Sequence, residues 1–195
     1  MPGHEGNAAV TEPVVALDLA RAELTRRLQA LNSDDWPRPT PCTEWNTRQL
    51  VNHIVGVQFR VARLLRGGSK EEYVATREDD WLGSDHLAAW DTGVSEVDSA
   101  LDALGSLDGT VDYRIPMAAR DVVRLLVFDT TVHAWDISRA IGFDEVLGEE
   151  IAAFALDAFQ ALAQDPALAP FFATPKKSPP SDASAQERLL FIAGR

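Results

Sequence analysis

Cysteine occurs once in this chain of 195 residues, at position 42. A single thiol excludes any disulfide within the chain and any CxxC metal site. Lysine is nearly as scarce: three lysines stand beside fifteen arginines, a bias that, with abundant alanine, fits a GC-rich bacterial genome. Positive charge as a whole is in deficit, with 18 Lys and Arg against 30 Asp and Glu and a net charge of −12. A surface of that sign repels nucleic acid and anionic membrane, and the arginines are scattered rather than clustered. No apolar run approaches the roughly 20 residues of a membrane span, and the opening "MPGHEGNAAVTEP" does not resemble a signal peptide, so a cytoplasmic location is expected. Neither GxGxxG nor GxxxxGK[ST] occurs, so no glycine-rich loop is marked as a phosphate cradle. Strand signals are almost missing too: "GSLDGTVDYRIP" (105–116) offers one extended strand at most.

What remains is helical periodicity. Residues 1–12 are small and polar without period and read as a disordered lead-in; residues 13–195 read as one domain. Pro13 suits a first helical turn, and Val14, Leu17, Leu24, Leu28 and Leu31 make one face. The prolines of "NSDDWPRPTPCTEW" (32–45) stop that helix, and its two tryptophans predict a connection packed on the body. A second helix starts near Asn46, whose spacing to Gln49 is that of a capping box, and is stopped by "RGGSK". A third is expected over about 84–104, a fourth over 117–141 closed by Gly142, and a fifth over 147–164. A proline-punctuated crossing and a short terminal helix, "SAQERLLFIAGR", occupy 165–195. The predicted architecture is an all-α antiparallel four-helix bundle with an extra C-terminal helix and tail.

Two apolar stripes contain residues that do not belong there. On the fourth helix Asp129 and His133 are four apart, one turn above the other, among Val122, Leu125, Leu126, Val132, Ile137 and Ala140. On the second, His53 stands among Leu50, Ile54, Val57, Val61 and Leu64. An ionised Asp in such surroundings costs several kcal/mol unless compensated, by a cation, by an arginine such as Arg124 or Arg139, or by a water-filled pocket at the bundle's end. Two imidazoles and one carboxylate are also the ingredients of a three-ligand metal site with one open position. The plainer alternatives are a hydrogen-bonded core histidine for His53 and a buried ion pair for Asp129 with His133.

"PTPCTEWNTRQLVNHIVG", "FDTTVHAWDISRAIG" and "SAQERLLFIAGR" together resemble the actinobacterial metal-binding proteins related to the N-terminal domain of mycothiol-dependent maleylpyruvate isomerase, in the DinB-like superfamily. The resemblance covers about residues 14–195 and implies a DinB-like bundle. Its ligand pattern is a His on the second helix and an acidic or His residue four before a His on a later one. Carried over, it falls on His53, Asp129 and His133. The isomerase has Glu where this chain has Asp129, and the glycine-rich lead into the fourth helix of relatives is replaced by "IPMAARD". The chain also has no stretch like the isomerase's separate C-terminal domain, so maleylpyruvate itself is not implied as the substrate. What the resemblance implies is a divalent metal, zinc foremost and nickel or manganese as alternatives. Mycothiol would be the thiol cofactor, and a small thiol and an electrophilic substrate the partners, in an isomerase or thiol-transferase reaction, or a hydrolytic one with water in place of the thiol. The alternative is a non-catalytic bundle, metal-stabilised or ligand-binding. An outer helix leaves room for pairing into a homodimer.

Other chemistry-bearing residues read blandly. Cys42 has no His neighbour in sequence and is expected to be a packed or half-exposed thiol. His86, beside Asp85, is expected to cap a helix or face solvent. Trp45, Trp90 and Trp135 are expected in the core or pocket walls, and Asp136 with Arg139 as an exposed i,i+3 pair.

Overall fold

The computed structural model describes residues 12–168 and 179–195. The lead-in, but for Glu12, and residues 169–178 of the crossing lie outside the described residues. Four long helices form an all-α DinB-like bundle: α1 (Pro13–Gln29), α2 (Thr47–Leu65), α4 (His86–Leu104) and α5 (Ala119–Ile141). Helix α1 packs on α5, α2 packs between α4 and α5, and α6 (Glu149–Gln164) lies on α5 with α7 (Ala185–Ile192) against it. A one-and-a-half-turn helix, α3 (Lys70–Ala75), and a hairpin of β1 (Thr110–Asp112) and β2 (Pro116–Ala118) sit against the same end of α2 and α5.

Helix ends follow local chemistry. Asn46 caps α2 as its spacing predicts: its side chain accepts from the Gln49 amide, and Gln49 accepts in return from the Asn46 amide. Asp85 caps α4, accepting from the Leu87 and Ala88 amides, so this helix starts two residues later than expected. Gly142 closes α5 with φ 72°. The start of α5 has no side-chain cap. Its first amides are met instead from the turn that leads into β1, Ala119 donating to the Gly109 carbonyl and Arg120 to that of Leu107. Residues 117–118, expected as helix, are strand: Val111 pairs with Met117 and Thr110 with Ala118, and the turn before β1 supplies the acceptors for the first amides of α5.

Helix α3 was not expected from apolar periodicity, being too short to show any. Its start is nevertheless written in Ser69 and Glu72, which form a reciprocal capping box. The segment after it is pinned to α2 at Gly56. The Trp81 ring lies so close that a Cβ on Gly56 would come within 2.4 Å of it. Trp81 also stacks on Phe59, its amide donates to Asn52 Oδ1 and its indole to the Thr76 carbonyl. Glycine is therefore the residue that lets α3 lie along α2 and form one wall of a cavity.

The connection 32–45 is packed as expected. Trp36 meets His86 edge-on, and Thr40 donates to the Trp45 carbonyl. His86 neither caps nor faces solvent: half-buried, it places Nε2 3.0 Å from the Leu28 carbonyl. A second anchor is Arg27, fully buried and ringed by the Glu23 carboxylate, the Ser138 hydroxyl and the carbonyls of Glu23, Asp144 and Val146.

Candidate metal centre

Helices α2 and α5 converge where the stripes carry their polar residues. His53 comes from the middle of α2; Asp129, His133 and Asp136 come from two successive turns of α5. One potential ligand atom from each of His53, Asp129 and His133 lies within 4.8 Å of the others. His53 Nε2 stands 3.6 Å from Asp129 Oδ1, and His133 Nε2 stands 3.4 Å from the same oxygen. These separations are long for hydrogen bonds, which cluster near 2.9 Å. They match the edge of a tetrahedron, about 3.3 Å when each ligand lies about 2.0–2.1 Å from a central ion.

The tautomer of His133 follows from its other partner. Its Nδ1 lies 2.8 Å from Asp136 Oδ2. Asp136 is fully buried, and although burial raises its carboxyl, Arg195 and His133 together hold it below the usual range. An ionised carboxylate only accepts, so Nδ1 donates and Nε2 turns toward Asp129. Either Nε2 carries a second proton, or a cation must separate its lone pair from the Asp129 oxygen. Without an ion the proton serves: burial opposes the charged imidazole, but the Asp129 charge, and then contacts in which the ring donates toward Asp129, Asp136 and Cys42, hold His133 well above its ordinary value. Burial likewise raises the Asp129 carboxyl, and the two histidines outweigh it and keep it ionised. His53 goes the other way, lowered chiefly by burial, and presents a neutral ring. The donor set thus fits a divalent ion: one carboxylate, one neutral imidazole and one imidazole whose far nitrogen is tied to a carboxylate.

The surroundings revise three readings of the sequence. Asp136 is no exposed partner of Arg139; it accepts from Arg195 Nε at 2.6 Å and from Nη2 at 2.7 Å, while Arg139 reaches Glu145. Neither arginine considered for Asp129 reaches it, since Arg124 pairs with Asp121. Cys42 is half-exposed as expected, yet a histidine is its neighbour. Its Sγ lies 3.9 Å from His133 Nδ1 and 3.4 Å from Asp136 Oδ2, and accepts from Arg195 Nη2 at 2.9 Å. Cys42, His133 and Asp136 make a second possible donor group. The Arg195 guanidinium already occupies the thiol and the carboxylate there, and its positive charge disfavours an ion on that side. Trp45 forms a wall of the site, its ring 4.6 Å from that of His53, and Trp90 is in the core.

On the other side, His53 and Asp129 open into a cavity of about 530 Å³ between α2, α3 and α5. Asp129 owes to it a side chain that is still 30% exposed.

A DinB-like bundle with a His-Asp-His cluster at the mouth of a cavity defines the class: helical bundle proteins that gather inward side chains around one point. The family model of the mycothiol maleylpyruvate isomerase N-terminal domain matches residues 17–138, and the chain belongs to that family. The match takes in the cluster and Asp136, and stops short of Arg195. Two relatives from Mycobacterium tuberculosis, in strains CDC 1551 / Oshkosh and H37Rv, both described as uncharacterized proteins, are 29% identical over 154 residues. The alignment covers 77% of this chain and 79% of each relative. No solved structure matches the chain.

Proposed function

We propose that this protein is a divalent-metal enzyme acting on a small electrophile with a low-molecular-weight thiol, His53, Asp129 and His133 being the metal ligands. The observation that carries the reading is the convergence of three ligand atoms within 4.8 Å at the mouth of a cavity. Zinc suits two imidazoles and a carboxylate with one position left open; nickel or manganese would be taken up according to supply. Family membership makes mycothiol the natural thiol, and thiol transfer or cis–trans isomerisation the natural reaction. A divalent ion bound here would supply acidity, allowing a coordinated thiol to lose its proton at neutral pH.

The chain's own residues do the rest. Asp136 holds His133 in the tautomer that leaves Nε2 available. Trp45 covers His53 and shields the cluster from one side. Val57, Leu125 and Leu126 line the approach and keep it apolar. One observation favours a non-catalytic bundle instead: a protonated His133 compensates Asp129 without any ion. Elemental analysis of the purified and zinc-reloaded chain separates the two. About one ion per chain, lost in His133→Ala, is expected; no stoichiometric metal after reloading overturns the enzyme reading. A thiol-transfer assay over a panel of electrophiles then tests catalysis.

A further inference from the structure

The cavity contains a buried charge that the donor cluster does not use. Arg60 is 2% exposed and lines the cavity, and among the described residues no carboxylate is paired with it. Its Nε donates to the Gly56 carbonyl at 3.1 Å, and its guanidinium carbon lies 4.8 Å from the centre of the Tyr73 ring. Neither contact supplies a negative charge, and a buried guanidinium without one is costly. The forked face of Arg60 is suited to a planar oxyanion. His53, Val57 and Arg60 follow at i, i+4 and i+7 on α2, so the Arg60 backbone stands two turns, about 10 Å, along the helix from that of His53, and its guanidinium is folded back one turn to the Gly56 carbonyl. Between His53 and Arg60 the wall is apolar, made by Val57, Leu125 and Leu126.

The charge balance of the cavity is opposite to that of the molecule. Asp129 is the one acidic residue among those lining it, and Lys70, Arg77 and Arg114 stand with Arg60, in a chain of net charge −12. Such a local reversal draws anions inward. Arg60 offers one buried fork without a carboxylate partner, so one carboxylate is the charge the cavity provides for.

We propose that the cavity takes a small amphipathic monocarboxylate, its carboxylate on Arg60 and its apolar body directed at His53 and Asp129. Arg60 is then the residue that selects the substrate's charge and sets which end faces the cluster. The proposal rests on the metal-site reading for what happens at that end, and on the cavity alone for the binding. The test uses naphthoate and its uncharged analogue naphthamide, titrated by fluorescence into the full chain, zinc-loaded and after chelation. Wild type is expected to favour naphthoate at least about tenfold in both states. Arg60→Gln should abolish the preference with zinc content unchanged, and Arg60→Lys should restore part of it. Equal binding of acid and amide by wild type overturns the proposal, whether or not a variant folds. A preference that survives in Arg60→Gln and vanishes on chelation also overturns it, placing the anion on the metal and leaving the metal reading intact. An Arg60-dependent preference in a chain that holds no zinc upholds the carboxylate site and removes the metal reading alone.

Discussion

His133 and Asp136 are joined through Nδ1 and Oδ2 at 2.8 Å, one turn apart on α5, and this bond decides which nitrogen of His133 faces Asp129. Arg195 locks the same carboxylate with two nitrogens, so the orientation of His133 is set by residues 59 positions apart in the chain. Carboxylates that hold a metal-ligating imidazole in this way typically account for 10- to 100-fold of metal affinity. Asp136→Asn keeps the shape and removes the charge. Its zinc affinity, measured by chelator competition, should fall by about 10- to 100-fold while the helical circular dichroism is retained. Unchanged affinity would mean that His133 is oriented by something else.

On the proposed ligand set, zinc should also stabilise the fold, because that set exists in the native arrangement of α2 and α5 and not in the unfolded chain. At a free concentration a thousandfold above its dissociation constant, linkage adds about 4 kcal/mol. For a chain of this size that raises the thermal midpoint by roughly 10 °C. The shift should disappear in His53→Ala, measured by thermal melts with and without zinc.

The cluster could be read from the sequence because each member breaks the pattern of its own helix. Asp129 and His133 occupy apolar positions of α5, and His53 occupies one of α2. Asp136 gave no such signal. It stands three residues before Arg139, an ordinary surface spacing, and the arginine it pairs with is at position 195. Cys42 meets His133 across 91 residues. Contacts of that kind are made by the docking of the 32–45 connection and of α7, and no local period records them. Arg60 was hidden differently: on the same stripe as His53 and Val57, a long arginine reads as a side chain reaching for solvent, whereas α3 and Tyr73 close over it. The hairpin gave half a signal, its first strand alternating and its second merged with the start of α5.

Arg27 should be the most sensitive polar position away from the centre. It is fully buried and ties α1 to Ser138 on α5 and to the Asp144 and Val146 carbonyls before α6. Arg27→Met leaves Glu23 without its buried partner and the Val146 carbonyl without its donor, so the loss is about 3–5 kcal/mol. Urea denaturation should show a lower midpoint at unchanged slope. Arg27→Lys should recover little, because a single ammonium cannot serve five acceptors in a fork.

Glu23 gives a pH dependence of known sign. Burial raises its carboxyl, but hydrogen bonds and charge from Arg26 and Arg27 outweigh it and hold the group below its ordinary 4.5. A depressed folded value means that the unfolded chain binds the proton first. The stabilisation is therefore complete above the ordinary value and is lost as pH falls through the folded one. Glu23→Gln should be less stable than wild type at neutral pH and should show a shallower loss between pH about 5 and 3. An acid limb of unchanged steepness would assign that loss to other carboxylates.

Gly56 links the fold to the cavity, and its substitution should separate the two. A Cβ there would meet Trp81 Cδ1 at 2.4 Å, inside any tolerable contact, so Gly56→Ala must push the indole off α2. Trp81 stacks on Phe59 and bonds to Asn52 and the Thr76 carbonyl, so its displacement frees the segment that follows α3. Tyr73 on α3 then loses its register over Arg60. The cost in stability is expected to be about 1–3 kcal/mol, that of overpacking at a close contact. The proposed ligands His53, Asp129 and His133 lie on α2 and α5, so zinc stoichiometry should be kept. Binding of an apolar probe in the cavity should weaken severalfold, with the tryptophan emission of the variant shifted to the red as the indole meets water. Retained probe affinity in a folded, zinc-loaded Gly56→Ala protein would show that α3 is not needed to close the cavity.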